Sequence, residues 1–117
     1  MGSDGYCKIA DFRLSKLGLF RHCKARTRCG TLFCMAPEIV KNLPYGQGVD
    51  WWAVGVMLFE TLTGEPPFYY DEGKDSDDTD TQKLNKKILD DEVDIPEDMS
   101  LAATSIVMKL LMKNPKQ

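Results

Sequence analysis

The chain of 117 residues has a single histidine, His22, no Cys-x-x-Cys pair, and no apolar run longer than the nine residues Trp51–Phe59. The short run excludes a membrane-spanning helix, which needs about 20 apolar residues. No secretory signal opens the chain, and Tyr6 stands where a myristoylation signal requires serine or threonine. The four cysteines, Cys7, Cys23, Cys29 and Cys34, read as free thiols of a reducing compartment. A zinc site drawn from His22, Cys23, Cys29 and Cys34 lacks the closely spaced ligand pairs of structural zinc. Acidic residues are absent between Phe12 and Pro37, where six Lys or Arg occur, whereas six of the ten residues from Asp71 to Asp80 are acidic. Both stretches read as solvated loops. The acidic one is no EF-hand: counted from Asp75, its sixth position is Asp80 instead of glycine and its twelfth is Lys86 instead of glutamate. A net charge of −3 argues against a nucleic-acid partner.

What is present suits one small domain with a core: 43% of residues are apolar and 28% charged. Ser3-Asp4-Gly5 reads as a turn leading into a short strand, Tyr6–Ala10. From Arg13 to Leu32 no period is sustained, which predicts a long ordered loop or switch. Pro37 suits the first turn of a short helix over Glu38–Lys41, ended by Asn42-Leu43-Pro44. Gly48–Thr63 is the strongest helical segment, with Asp50 where an acid suits the helix dipole, and Gly64 and Pro66-Pro67 at its end. Its apolar residues cover more than one face, so it belongs in the middle of a core. Thr81–Asp90 reads as an amphipathic helix with Leu84, Ile88 and Leu89 on one side. Ser100 caps a last helix, Leu101–Lys113, whose core stripe is Ile106, Val107, Leu110 and Leu111. The expected fold is mainly α after one short strand. Two modest helices and a loop are little cover for so apolar a helix, which points to protein beyond these residues.

Three motifs occur in order: Asp11-Phe12 after the strand, Ala36-Pro37-Glu38, and Val49-Asp50-Trp51-Trp52 opening the apolar helix, with Thr27-x-Cys29-Gly30-Thr31 between the first two. Together they resemble the C-terminal lobe of a eukaryotic protein kinase, in the AGC branch and most like protein kinase C. The resemblance covers roughly residues 5–117, and residues 1–117 are taken as one partial kinase domain, from the magnesium-binding Asp-Phe segment through the activation segment and the helices that follow. It implies ATP and magnesium as cofactors, protein substrates or kinase-associated proteins as partners, and a cytoplasmic setting. Asp11 matches the aspartate that binds magnesium bridging the nucleotide phosphates, a task suited to carboxylate oxygen. Ala10 would line the nucleotide pocket, and Phe12 would pack beneath the helix that carries the salt-bridge glutamate. Thr27 matches the activation-loop phosphorylation site, with Lys16, Lys24, Arg26 and Arg28 as candidate partners for a phosphate. Thr31 matches the threonine that contacts the catalytic loop, Glu38 the glutamate paired with a later arginine, and Asp50 the aspartate that holds the catalytic-loop backbone.

The family pattern is incomplete. No Gly-rich loop, ATP-binding lysine or His-Arg-Asp catalytic loop occurs; His22 is followed by Cys23-Lys24, and Gly46-Gln47-Gly48 lacks a third glycine. Arg13 replaces the glycine of Asp-Phe-Gly, and Leu32-Phe33-Cys34 stands where relatives usually carry Pro-Asp-Tyr or similar. If position 13 required the left-handed region, arginine would cost roughly 1–2 kcal/mol. Its charge would compete with the metal or mimic it; the favoured expectation is relaxed constraint, with the Arg13 side chain projecting to solvent and no new role. Glu38 and Asp50 would be left without partners, and a broken buried ion pair costs about 3–5 kcal/mol of a total stability of about 5–15. The expectation is a serine/threonine kinase segment that is inactive as this isolated chain. A non-catalytic docking or regulatory module is the alternative, and a metal or nucleic-acid module built on the Cys/His and basic stretch explains nothing after Pro37.

Overall fold

A computed structural model describes residues 3–19, 23–69 and 78–114. Among the described residues four helices carry the fold: α1 (Pro37–Val40), α2 (Gly48–Thr63), α3 (Asp78–Asp90) and α4 (Leu101–Leu110). Two single 3₁₀ turns, Phe12–Leu14 and Leu32–Cys34, punctuate the segment before them. The expected strand over Tyr6–Ala10 does not form; these residues are irregular, and Ile9 is 87% exposed. A strand is stabilised by ladder partners and cross-strand side-chain pairs. Among the described residues the only β pairing is an isolated antiparallel bridge between Ala25 and Tyr45.

The bounds of α2 are those its pattern predicts. Gly64 closes it in the left-handed region at φ 85°, its N–H bonding the Glu60 carbonyl at 2.8 Å. Trp52, Gly55, Val56 and Phe59 recur at helical spacing along its buried face. The opposite face is open: Trp51 is 64% and Met57 61% exposed, and Leu62 is exposed as well. The helix is therefore half-covered in this chain and not enclosed on all sides. Helix α1 starts on Pro37, one residue before its expected start, because a missing N–H costs nothing at the first helical position. Helix α3 starts three residues before Thr81, with Asp80 in the first turn, where an acid suits the dipole.

The core gathers Val56 of α2, Ile88 of α3 and Val107 of α4, each with no accessible surface. Full burial of such a side chain is worth about 1.5–3 kcal/mol. Leu84 and Leu111 extend the core, whereas Ile106, placed by pattern in the same stripe as Val107, is half-exposed. The Ser100 hydroxyl accepts from the Ala103 N–H at 3.3 Å and caps α4 as predicted. The helix stops at Leu110, short of Lys113, because the following residues turn toward α3. There the Lys113 ammonium donates to the carbonyls of Lys87 and Asp91 and lies 5.0 Å from the centre of the Phe68 ring. Phe68 in turn stacks on Trp52, with ring centroids 6.0 Å apart. Burial lowers the Lys113 pKa, against the pull of Asp91 and its acidic neighbours. No helix among the described residues is long and apolar enough to cross a membrane.

Helices α2 and α4 touch at Gly55. A Cβ there would lie 2.8 Å from Leu110 Cβ and 2.9 Å from Leu111 Cδ2. Overpacking of this kind costs about 1–3 kcal/mol, while alanine gains about 1 kcal/mol over glycine in helix propensity. Leu110 Cβ is fixed to the backbone and cannot rotate aside, so the clash wins. Gly55→Ala is expected to destabilise the chain by about 1 kcal/mol in urea unfolding followed by circular dichroism. Gly48→Ala, in the same helix with open space around it, should be neutral or stabilising. Equal effects of the two substitutions would show that the helices do not meet at Gly55.

The Leu32–Cys34 turn packs on α2 and leaves Cys34 half-buried. Burial, and secondarily the charge of Glu60, raise the Cys34 pKa above its ordinary 9.0. The thiolate is the nucleophile, so Cys34 should react with iodoacetamide at pH 8 more slowly than exposed Cys7 and Cys23, as read by mass spectrometry of timed digests. A raised thiol pKa favours the folded state fully at pH below 9.0. That contribution fades as pH rises through the folded value, because the unfolded chain loses this proton first.

Candidate functional site

The basic, acid-free segment is tied down at Thr27 from two sides. Ala25 and Tyr45 exchange both backbone hydrogen bonds at 2.9 Å, and the Tyr45 hydroxyl donates to the Thr27 carbonyl at 2.7 Å. Tyr45 is buried, and its pKa is raised first by that burial and then by Cys29 and Asp50. The Lys16 ammonium donates to the Thr27 hydroxyl, which stays exposed. Arg28 reaches Asn85 of α3 at 3.5 Å, and the Gln47 amide donates to the Leu19 carbonyl at 2.9 Å. The structure thus selects Lys16 from the four cations expected around Thr27. Tyr45 was missed: its sequence signal is one aromatic among turn residues, and only the bridge to Ala25 shows what it anchors.

Asp11 sits in the left-handed region, at φ 64° and ψ 68°, immediately before the Phe12–Leu14 turn. Left-handed backbone is tolerated better by aspartate than by most residues. Arg13 itself lies inside the turn, and its φ is not positive. The strain expected at position 13 falls on position 11 instead. The turn brings the Arg13 guanidinium onto the Asp11 carboxylate as a fork, Nε to Oδ1 at 2.6 Å and Nη2 to Oδ2 at 2.7 Å. That pairing holds the Asp11 carboxyl below the usual carboxylate range and raises the Arg13 pKa. Both oxygens of the one carboxylate are engaged. Among the described residues no three His, Cys, Asp or Glu side chains cluster for a metal ion. The donor set as placed does not fit magnesium. The zinc alternative loses its three cysteines as a described cluster, and His22 lies outside the described residues, as does most of the acidic stretch Asp71–Asp80.

A cleft of about 710 Å³ opens between this segment and the start of α2. Phe12, Lys16, Thr31, Cys34, Tyr45 and Asp50 all line it. Thr31 and Asp50 both line this cleft, although neither side chain makes a hydrogen bond with a described residue there. Ala10 is exposed and outside the cleft, and Phe12 is 67% exposed instead of packed beneath a helix. Glu38 borders a separate cleft of about 470 Å³ with Trp52 and Lys109, and no described side chain pairs with its carboxylate. Glu38 is half-buried and Asp50 exposed, and among the described residues no polar or charged residue is fully buried. The penalty anticipated for two orphaned buried charges is accordingly reduced by solvent.

Comparison with known sequences accounts for this arrangement. Residues 1–117 match the protein kinase domain family. The chain is 41% identical over 115 residues to protein kinase C epsilon type of Oryctolagus cuniculus, covering 98% of this chain and 14% of that protein. It is 40% identical to protein kinase C of Drosophila melanogaster, over 100% of this chain and 15% of the relative. It is 38% identical to RAC-beta serine/threonine-protein kinase A of Xenopus laevis, over 100% of this chain and 22% of the relative. The chain spans between about one seventh and one fifth of these relatives' length. With its helical build, its anchored threonine segment and a match along its whole length, the chain belongs to the protein kinase domain family.

Proposed function

We propose that the chain is the C-terminal-lobe segment of a protein kinase C-like serine/threonine kinase, inactive in phosphoryl transfer by itself. The anchored Thr27 carries this proposal. Its backbone is held by buried Tyr45 while its hydroxyl stays exposed beside a lysine, as suits a threonine that accepts a phosphate. In the complete domain, ATP would be the phosphoryl donor, magnesium the usual cofactor and protein serine or threonine the acceptor. Within that domain Ala10 and Asp11 border the nucleotide site, Thr31 and Asp50 meet the catalytic loop from the cleft they share, and Glu38 awaits a cation. These 117 residues hold no Gly-rich loop, no paired ATP lysine and no His-Arg-Asp sequence, so the groups that cover, orient and deprotonate are missing from them. A cytoplasmic setting and protein partners belong to the same proposal.

A second function, that of a non-catalytic docking module, is favoured by one observation. Trp51, Met57 and Leu62 of α2 and Ile106 and Met108 of α4 are exposed, and exposed apolar surface is of a kind that marks interaction sites.

Isothermal calorimetry of the folded chain with magnesium and ATP is expected to show no binding, and a radiolabelled ATP assay no phosphate on a serine/threonine peptide. Magnesium-dependent transfer by the chain alone would refute the proposed inactivity. Phosphate on Thr27 would bring about −1.5 to −2 charges against Lys16, Arg26 and Arg28. A chain made by semisynthesis with phosphothreonine at 27 should resist trypsin after Lys24, Arg26 and Arg28 several-fold longer than the unmodified chain. Lys16→Ala should remove much of that protection; unchanged cleavage on phosphorylation would count against Thr27 as an ordering phosphosite.

A further inference from the structure

We infer that Arg13 has taken the place of a divalent cation on Asp11, making the Asp11-Phe12-Arg13 segment a metal-excluding ion pair. The inference rests on the proposal that Asp11 stands at the family's metal position. The fork satisfies one carboxylate oxygen with Nε at 2.6 Å and the other with Nη2 at 2.7 Å. Magnesium requires near-octahedral oxygen ligands at about 2.0–2.1 Å and gives up water reluctantly. To coordinate Asp11 it must displace a guanidinium that is charged at every accessible pH and matches the carboxylate side-on. The competitor is intramolecular. Two residues of chain, folded into a 3₁₀ turn after a left-handed aspartate, deliver it at a high effective concentration, on the order of millimolar or more.

Glycine at position 13 would leave both oxygens open. The substitution therefore does more than add bulk: it neutralises the one carboxylate that the family devotes to the metal. No described cluster of carboxylates, histidine or cysteine offers the ion another set of ligands. Two of the five guanidinium N–H donors are spent on Asp11, and the others stay open to solvent on a side chain that is 86% exposed. Anionic oxygen, not a cation, is the chemistry this surface is left able to meet.

The test uses manganese(II) alone as the probe, read by paramagnetic broadening of backbone amide signals in the 117-residue chain. Exposed Asp94, Glu97 and Asp98 serve as internal references for ordinary carboxylates. In the unaltered chain the Phe12 and Arg13 amides should broaden only at manganese concentrations at or above those that broaden the reference amides. Arg13→Gly should shift broadening at Phe12 to a several-fold lower concentration. Arg13→Lys, which keeps the charge without the fork, should fall between, and Asp11→Asn in the Arg13→Gly background should abolish the gain. The Arg13 side chain is 86% exposed, so the rest of the spectrum should stay in place and verify the fold. Equal manganese sensitivity at Phe12 in the unaltered and Arg13→Gly chains overturns the inference. The readout is metal at one carboxylate, so it stands or falls independently of any phosphotransfer result.

Discussion

The close approach of α2 and α4 at Gly55 is the constraint on which the packing depends. Without a side chain there, the backbone of α2 comes within van der Waals reach of Leu110 and Leu111. That contact sets the spacing of the two helices, in which Val56 and Val107 are fully buried, while α3, with its fully buried Ile88, packs on α1 and the Leu32–Cys34 turn. Trp52, three residues before Gly55 on the same face, then stacks on Phe68, and Lys113 covers the Phe68 ring while satisfying carbonyls at the end of α3. A core of this kind is small. Its margin comes from a few fully buried aliphatic side chains and from the absence of fully buried charged residues among those described.

The same helix explains why the molecule is lopsided. One face of α2 is packed, while Trp51 and Met57 on the other remain in solvent. A segment spanning between about one seventh and one fifth of its relatives' length carries this helix without protein on its second side. The Trp51 indole surface and the Asp50 carboxylate are open to water, and Glu38 is half-open. Water is tolerable for the carboxylates and unfavourable for the apolar groups. Two buried polar atoms, the Trp52 indole nitrogen and Asp80 Oδ1, have no hydrogen-bond partner among the described residues, although Asp80 Oδ1 lies 3.6 Å from the Lys83 ammonium. An orphan of this sort costs about 1–3 kcal/mol and adds to the strain on a small core.

Around the threonine segment the chain uses backbone, not bulk, for order. The Ala25–Tyr45 bridge and the Tyr45 hydroxyl fix the path of residues 25–27, and Lys16 adds a charge at the Thr27 hydroxyl. At the other end of the segment, Arg13 answers Asp11 locally. Both devices place a cation on a group that the proposed function assigns to phosphate chemistry. They differ in consequence: Lys16 leaves Thr27 exposed and chargeable, whereas Arg13 occupies the carboxylate with which it pairs.

Much of this was legible in the residues themselves. The bounds of α2, the Ser100 cap and the Leu84/Ile88 stripe follow from period and capping chemistry, which act over one or two turns. The order of Asp11-Phe12, Thr27, Ala36-Pro37-Glu38 and Asp50-Trp51-Trp52 was enough to indicate the family. The Tyr6–Ala10 strand failed because a strand is a property of its partners, and local pattern cannot supply them. Tyr45 was hidden because its role is a contact with residues 18 to 20 positions away. Helix α2 was expected to be enclosed because its composition is apolar all round, yet burial depends on what is available to cover it. Arg13 was visible as a departure, but the expectation was relaxed constraint, with its side chain projecting to solvent, and not a new role at the metal position. Local sequence determined the helices and the family; only tertiary structure decided that the arginine folds back onto the aspartate, because a side chain's partner is chosen by backbone geometry and not by spacing alone.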